Sequence, residues 1–562
     1  MLNHDTLLQI FIHYRLQHKE HWNNQFPWPN LTHICRRWRC LVYDASSILD
    51  MRLTLTNNSP PIQTLSHFPP LPLVITYSDR IAIAPKDENN ILIGLQQHGR
   101  VRRVDLQAPS SSFRMWFCKM NQPFPGLQEL SLSSTTSTET SLVIPETLQA
   151  PDLRHLALDG IGLPRTLLSS AIALSTLSLR QIRASCYFPP RHLVTQLQGL
   201  PRLEEMTISF AISIPRPSSE GELLLAPIPP VALPSLRRLK FEGVDVYLDN
   251  LVAQINTPLL ERLDLTLHFD IGFTLVNLTE FVHRTEGFRY LVGRVIFNKD
   301  GVTIDADQNG QLQRVGKSSL HANVSCKHLD WQINSAAEVC SAIGEALSTV
   351  SELTLDLRVL GMPTDWESTL NNVLWHELML PFIGVKKLHI GSSLSLELFK
   401  ALESDAEGLV LPNLQELGVS LKTDHVINAL TVFIETRETV GRPIHLLVPP
   451  EDEEEKINLQ NTLAVRRSRR QEVEYHWQRK LEDAVKAERK EKEQWKARAL
   501  EYQRNLEDTV KSNEMWKGRA LALEELLKGL EVSLPESFSR GFWSAGGERE
   551  ERARAHDAHL RG

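Results

Sequence analysis

The residues of this sequence that could do chemistry are its 20 histidines, its six cysteines and adjacent carboxylates such as Glu204 and Glu205. A zinc site needs cysteines or histidines grouped at short regular spacing, and a catalytic nucleophile needs a base and an orienting group beside it. The cysteines are Cys35, Cys40, Cys118, Cys186, Cys326 and Cys340. They are scattered without a CxxC pair, and the histidines are irregularly spaced, so we expect no metal site, no disulfide framework and a reducing compartment.

Four common phosphate-binding and catalytic sequence motifs are also missing. The sequence contains neither of the glycine-rich phosphate-binding patterns, GxxxxGK[ST] and GxGxxG, and neither the GxSxG elbow nor the HExxH zinc motif. The adjacent carboxylates fall in polar slots of a repeating pattern, where solvation explains them. We therefore predict a protein that is not an enzyme, with no catalytic residues and no cofactor.

Bulk composition limits the class of protein further. The chain has 562 residues, 42% hydrophobic and 23% charged, which is typical of a folded protein with several units or one extended array. A net charge of −7 gives no basis for binding nucleic acid. Without a signal peptide or a membrane-spanning apolar stretch, we expect a soluble protein with no membrane partner, in the cytoplasm, the nucleus or both.

One pattern recurs along most of the chain: an apolar residue, two polar, an apolar, one polar and an apolar. Its copies lie at 101–106, 127–132, 153–158, 174–179, 203–208, 236–241, 260–265, 292–297, 350–355, 385–390 and 414–419. We expect Leu329 and Trp331 to belong to a further copy in the gap before residue 350. The first seven copies begin 26, 26, 21, 29, 33 and 24 residues apart, close to the period of about 20–29 residues in leucine-rich repeats.

This repeat predicts an α/β solenoid over residues 51–448. The last two apolar positions of each copy have strand spacing with one buried face, and a strand this short must stack on its neighbours. We expect a curved parallel sheet on the concave side and helices outside. The polar position inside each strand would face a target protein, and these positions are Ser131, Ala157, Ser178, Thr207, Lys240, Asp264, Thr354, His389 and Gly418.

Two amphipathic helices are predicted before the repeats, in residues 1–50. Asp5 is a candidate N-cap for the first, and Asn30 for a second run reaching Val42. The apolar residues of the two runs include Leu7, Leu8, Ile10, Phe11, Leu31, Ile34, Cys35 and Trp38. Two interpretations of these helices are open. They could simply cap the apolar end of the solenoid, or they could form a binding module.

The two runs resemble the opening and closing helices of an F-box, with Cys35, Trp38 and Arg39 in the family's closing pattern. The likeness continues through the repeats to 277–285 and 433–444, and is to the F-box-like proteins with irregular leucine-rich repeats that are abundant in fungi. It implies that the eight apolar residues above are shared between the core of a helical bundle and the interface with a Skp-type linker of a cullin ligase. Asn3 stands where the family usually has proline.

A charged tail follows the solenoid. Residues 449–465 have the composition of an acidic linker, 466–532 that of a long helix, and 533–562 that of a disordered tail. A heptad-like seam from Trp495 to Leu530 allows self-association as a coiled coil, and a solvated single helix is the alternative. The basic run Arg466, Arg467, Arg469 and Arg470 is either a nuclear-import signal or an ordinary exposed charge cluster.

The expected function is substrate recognition for an SCF-type ubiquitin ligase, because the family resemblance assigns the N-terminal helices to the linker and the repeats to an unknown target protein. The alternative is a leucine-rich-repeat scaffold or sensor outside any ligase, joined into oligomers by its C-terminal helix.

Overall fold

The structure is a computed structural model. It describes residues 2–17, 28–46, 48–49, 52–56, 70–78, 84–136, 142–211, 229–268, 275–285, 287–308, 319–326, 328–358, 372–403, 410–420 and 423–510. The chain divides into two compact units, Met1–Gln460 and Asn461–Gly562.

Three helices begin the first unit: α1 (His4–Gln17), α2 (Trp28–Thr32) and α3 (Arg36–Asp44). Asn3 caps α1, because its Oδ1 accepts a hydrogen bond from the amide of Thr6 at 2.7 Å. The prediction of Asp5 as N-cap is therefore wrong. The predicted second run is divided: Asn30 lies inside α2, and Cys35 caps α3 by accepting from the amide of Trp38 at 3.4 Å.

These helices share one hydrophobic core. Its buried residues are Leu7, Phe11, Leu31, Leu41, Val42, Ala45, Leu49 and Leu71. The rings of Phe11 and Trp38 meet edge to face with centroids 4.9 Å apart. Leu71 lies just before a strand of the sheet, so the core of the helices continues into the start of the repeats rather than closing on itself.

The repeats form strands. They are β1 (Leu53–Leu55), β2 (Leu73–Ser78), β3 (Val101–Ala108), β4 (Glu129–Ser134), β5 (His155–Asp159), β6 (Thr176–Ile182), β7 (Glu205–Phe210), β8 (Val231–Ala232), β9 (Arg238–Gly243), β10 (Ile255–Asn256), β11 (Arg262–His268), β12 (Val292–Asn298), β13 (Gly301–Asp307), β14 (Leu320–Ser325), β15 (Glu352–Arg358), β16 (Lys387–Ile390), β17 (Glu416–Gly418) and β18 (His445–Leu447).

Helices follow most of the strands. They are α4 (Pro85–Gln96), α5 (Ser110–Lys119), α6 (Leu167–Ser170), α7 (Pro190–Leu197), α8 (Asp245–Ala253), α9 (Val276–Arg284), α10 (Leu329–Ala342), α11 (Gly344–Leu347), α12 (Asn372–Met379), α13 (Ser395–Glu403), α14 (Asp424–Thr439) and α15 (Glu453–Val510).

Within the described residues, sixteen strands form one sheet in the order β1-β2-β3-β4-β5-β6-β7-β9-β11-β14-β13-β12-β15-β16-β17-β18. The apolar positions of each repeat are its core: Leu127, Leu130 and Leu132, for example, are at most 1% exposed. Burying one such leucine contributes about 1.5–3 kcal/mol to stability. A single strand cannot bury its leucines alone, so this stabilisation depends on packing against the neighbouring repeats. The mixed α/β architecture with a long, largely parallel sheet is therefore the one that the repeat pattern predicts.

One strand interrupts the parallel order. β13 pairs antiparallel with β12 on one side and with β14 on the other. The segment predicted as a further repeat copy is instead the start of α10, which includes Leu329 and Trp331. The copy prediction is wrong because two apolar residues separated by one polar residue also occur in the first turn of an amphipathic helix, and the neighbouring residues of α10 continue with helical spacing.

Two polar side chains hold repeat helices in place. One of them, Asp249, bonds to the segment 277–285, and the other, Arg437, lies within the segment 433–444, both of which resemble the F-box-like family. Asp249 in α8 accepts hydrogen bonds from the amides of Asn277 and Leu278, at 2.8 and 3.1 Å, and so caps α9. Arg437 in α14 is 3% exposed and donates to backbone carbonyls of residues 410, 411 and 414 at 3.4, 3.2 and 3.5 Å. Those carbonyls include that of Leu411, whose φ of 48° lies in the left-handed region.

The long C-terminal helix α15 begins at Glu453, so it already includes most of the segment predicted as an acidic linker. Its side chains are exposed from residue 464 to 501. Of the predicted seam, Trp495 and Ala499 lie in the exposed part of the helix, whereas residues 511–530 lie outside the described residues, as does the predicted tail 533–562. No helix in the described part of the chain is long and apolar enough to cross a membrane.

Candidate binding surface on the open face of the sheet

The polar positions between the buried residues of each strand line up across the sheet on what we call its open face. Pairing places them side by side from strand to strand. The predicted target-facing residues Ser131, Ala157, Ser178, Thr207, Lys240, Asp264, Thr354, His389 and Gly418 all lie in this row and are partly or fully exposed.

The open face has a second row, which lies two residues nearer the start of each strand. This row is rich in ion pairs between neighbouring strands. Arg103 contacts Glu129 at 2.9 Å, and Lys387 contacts Glu416 at 2.8 Å. Exposed pairs of this kind contribute about 0–1 kcal/mol each. Because each pair joins a cation to an anion, this row of the open face carries charges of both signs.

The middle of the open face carries the most concentrated charge. Lys240, Asp264, His321, Asp305 and Arg294 occupy matching positions on β9, β11, β14, β13 and β12, so each faces the next across one strand pair. We call these five residues the charged row. With neighbouring strands about 4.8 Å apart, the row spans roughly 20 Å. Its order is cation, anion, histidine, anion, cation.

Two contacts position the side chains of the charged row. His321 Nδ1 lies 2.8 Å from Asp305 Oδ1, and the Asp305 side chain is only 6% exposed. Asp264 is held by Arg262, whose Nε lies 3.0 Å from Oδ2.

Sequence reasoning found Lys240 and Asp264 but missed His321, Asp305 and Arg294. The signal for them was present. Asp300 and Gly301 form an Asp-Gly dipeptide between two alternating apolar runs, which is a strong hairpin signal. A hairpin at this point would have predicted an additional strand carrying Asp305 at the sheet centre. The sequence does not show which strand pairs with the other side of that strand. In the structure this partner is β14, which carries His321.

A small aromatic pocket lies where the strands β6, β7, β9 and β11 end. Its lining residues are Tyr187, Phe210, Ala211, Gly243, Val244, Tyr247 and His268. The rings of Phe210 and Tyr247 are 4.5 Å apart between centroids, and a Cβ at Gly243 would meet Phe210 at 2.8 Å. Glycine at this position therefore allows the ring to pack against the strand. His268 Nε2 lies 3.8 Å from Glu242 Oε1, so the pocket has an acidic neighbour.

The predicted linker-binding residues separate into two groups. Leu7, Phe11 and Leu31 are buried in the core of the helices, at 3%, 0% and 7% exposure. Ile10 and Ile34 are 44% and 58% exposed, which is high for isoleucine. Cys35 is also exposed, whereas Leu8 and Trp38 are partly buried.

Two observations concern metal and thiol chemistry in the described residues. No group of three or more histidine, cysteine or acidic side chains there has the geometry of a metal site. Burial raises the pKa of Cys326 to about 11 and raises the pKa of Cys340 further, which keeps both thiols protonated and unreactive.

Comparison with known proteins adds little to this description. No family model matches the chain, and no curated protein matches it. Among solved structures, the leucine-rich repeat-containing protein LegL7 from Legionella pneumophila aligns with 13% identity and a TM-score of 0.24, over 68% of this chain and 97% of that one. A likeness this weak carries no argument about the fold or function of the chain described above.

Proposed function

We propose that the chain is a non-enzymatic adaptor that recruits target proteins to an SCF-type ubiquitin ligase. In this proposal the N-terminal helices bind a Skp-type linker protein, through which a cullin ligase is reached. The open face of the sheet binds the target. Ubiquitin transfer then takes place on the ligase, and the adaptor contributes by holding the target near it.

The observation that carries the proposal is the exposure of apolar side chains in the N-terminal helical module. Phe11 is buried in its core and Trp38 packs against that core, whereas Ile10 in α1 and Ile34 in the turn between α2 and α3 are 44% and 58% exposed. Helices that only cap a solenoid present a polar outer surface. Exposed isoleucines on this module, together with the F-box-like residues of the sequence, favour a partner-binding role.

The sheet supports the second half of the proposal. The row of strand positions from Ser131 to Gly418 crosses the sheet, and charge is concentrated at the charged row, whose residues other than the buried Asp305 are partly or fully exposed. A row of alternating charges favours an extended partner with the complementary charges. Partners with a different charge pattern would bring like charges together and bind more weakly. This supports a protein ligand rather than a small molecule, since the surface is long and open.

The test is a pulldown of the full chain with the Skp-type linker, using the double variant Ile10→Asp and Ile34→Asp. Exposed side chains tolerate the change, so the variant should stay folded and lose at least about 10-fold in linker affinity, the equivalent of 1.4 kcal/mol. The matched control is Ile172→Asp, at a 63% exposed isoleucine in the repeats. Deleting residues 1–50 is a poor test, because it would remove Leu49 from the core shared with Leu71.

Circular dichroism and thermal melting of each variant separate binding from folding. Linker binding by the wild type and by Ile172→Asp, but not by the double variant, supports the adaptor. A folded wild type that does not bind the linker would refute it. The scaffold alternative, favoured by the long exposed helix α15, would then be the better account.

A further inference from the structure

The exposed surface of α15 is more apolar than a solvated helix requires. Val473, Trp477 and Leu481 are 56%, 64% and 46% exposed, and every residue between 464 and 501 is exposed. In proteins, helices obtain most of their stability from packing an apolar side against another element. A helix of 58 residues with tryptophan in solvent therefore has a surface suited to a partner.

These three apolar residues belong to one stripe. Counting at spacings of three and four residues, its members are Arg466, Arg470, Val473, Trp477, Leu481, Ala484, Glu488 and Glu491. We call these eight residues the α15 stripe. At 100° per residue they lie within about 80° of arc on the helix surface, so they can all face a single partner helix.

The order of charges along the α15 stripe indicates the orientation of that partner. Two arginines stand at its N-terminal end, four apolar residues in its middle and two glutamates at its C-terminal end. A parallel, in-register copy would place Arg470 against Arg470 and Glu488 against Glu488, which is repulsive. An antiparallel copy centred near residue 479 places Arg470 against Glu488 and Trp477 against Leu481.

We propose that two copies of this chain associate through antiparallel pairing of their α15 stripes. Arg466 of each copy then faces Glu491 of the other, Arg470 faces Glu488, and Val473 faces Ala484. The pairing is symmetric, so each contact occurs twice about a two-fold axis near residue 479. The paired segment is about 39 Å long, which is enough for a short coiled coil with ion pairs at both ends.

This pairing is separate from the ligase proposal, since it uses none of the N-terminal helices or the open face. It also lies upstream of the seam that the sequence predicts from Trp495 to Leu530. The basic run thereby acquires a specific use: Arg466 and Arg470 face the second copy, whereas Arg469 lies well to one side of the α15 stripe. Nuclear import does not distinguish among these arginines by their position on the helix.

The test is sedimentation equilibrium of the full chain with reversed charges. The variant Arg466→Glu with Arg470→Glu turns four attractive contacts of the dimer into four repulsive ones, so the dissociation constant should rise at least about 10-fold. Adding Glu488→Arg and Glu491→Arg restores every pair in the antiparallel arrangement and should restore the dimer.

A parallel dimer predicts a different result. It keeps Glu against Glu or Arg against Arg in the wild type and in both variants, so neither variant would change the dissociation constant by much. The matched control is Arg479→Glu with Lys486→Glu, which changes net charge as much as the first variant but lies on the opposite side of the helix. This control should leave the dimer intact.

Helix content measured by circular dichroism accompanies each variant. Loss of the dimer in the first variant, its recovery in the fourfold variant and its persistence in the control support the proposal. A monomeric wild type at micromolar concentration overturns it, as does a fourfold variant that is helical but remains monomeric. If the first variant lost helix content, the fourfold variant would still decide the question.

Discussion

Replacing Arg437 with methionine tests whether one buried cation holds the C-terminal end of the solenoid. The guanidinium group donates to three carbonyls, and one of them belongs to Leu411, whose φ of 48° is strained for a leucine. Methionine matches the length of arginine but supplies no donor. The substitution therefore removes all three hydrogen bonds while keeping most of the apolar packing of α14.

The magnitude follows from the burial and the distances. A hydrogen bond from a charged group contributes about 1.5–3 kcal/mol, and bonds near 3.5 Å are at the weak end. Because the three bonds to Arg437, itself 3% exposed, are 3.4, 3.2 and 3.5 Å long, we take about 1 kcal/mol for each, which gives about 3 kcal/mol of local destabilisation. Repeats contact only their neighbours, so the effect should remain close to β17 and β18.

Hydrogen exchange measured by mass spectrometry reports the local opening free energy of this region directly. We expect peptides from residues 410–447 to exchange roughly 100-fold faster in Arg437→Met, as a change of about 3 kcal/mol in opening free energy requires. Peptides from β3 to β7 should be unchanged. Arg284→Met is the control, because Arg284 is exposed and donates to the local carbonyl of Glu280. Equal exchange in Arg437→Met and wild type would refute the assigned role.

Two further predictions concern the cap of α9 and the buried cysteines. Asp249→Ala should remove the cap of α9 and cost about 1–2 kcal/mol, seen as faster exchange in residues 275–285; Asp249→Asn, which keeps an acceptor oxygen, should cost less, and equal costs would argue against capping. Because burial raises the pKa of Cys326 to about 11 and that of Cys340 further, both should resist iodoacetamide at pH 8 while exposed Cys118 reacts. Their contribution to stability is present below about pH 8.5 and is lost as the pH rises and the unfolded thiols ionise. Alkylation of Cys340 as fast as Cys118 in the folded chain would contradict this reasoning.

The sequence was most informative where structure is local. Leu130 and Leu132 alternate with Ser131 in the sequence, and in the structure the leucines are buried and the serine lies on the open face. The alternation is a property of six consecutive residues, so no knowledge of distant contacts is needed to predict it. The exposed charge pattern of α15 is equally local.

The sequence predicted less well which of two neighbouring residues is buried and which of two residues caps a helix. Ile10 and Phe11 are adjacent apolar residues of one helix, yet the first is 44% exposed and the second is fully buried. Asn3 and Asp5 are both good caps by residue type, and the geometry of the first turn selected Asn3. In each case the deciding quantity was the direction of a side chain relative to a neighbouring element.

The sequence by itself determined that this chain is an α/β repeat protein with a long charged helix at its C-terminal end, because both follow from periodicity within short windows. Only the tertiary structure decided that Lys240, Asp264, His321, Asp305 and Arg294 form a single row. These residues come from five strands, and one strand runs against the others. Strand order and register depend on contacts between distant parts of the chain, so no local pattern contains them.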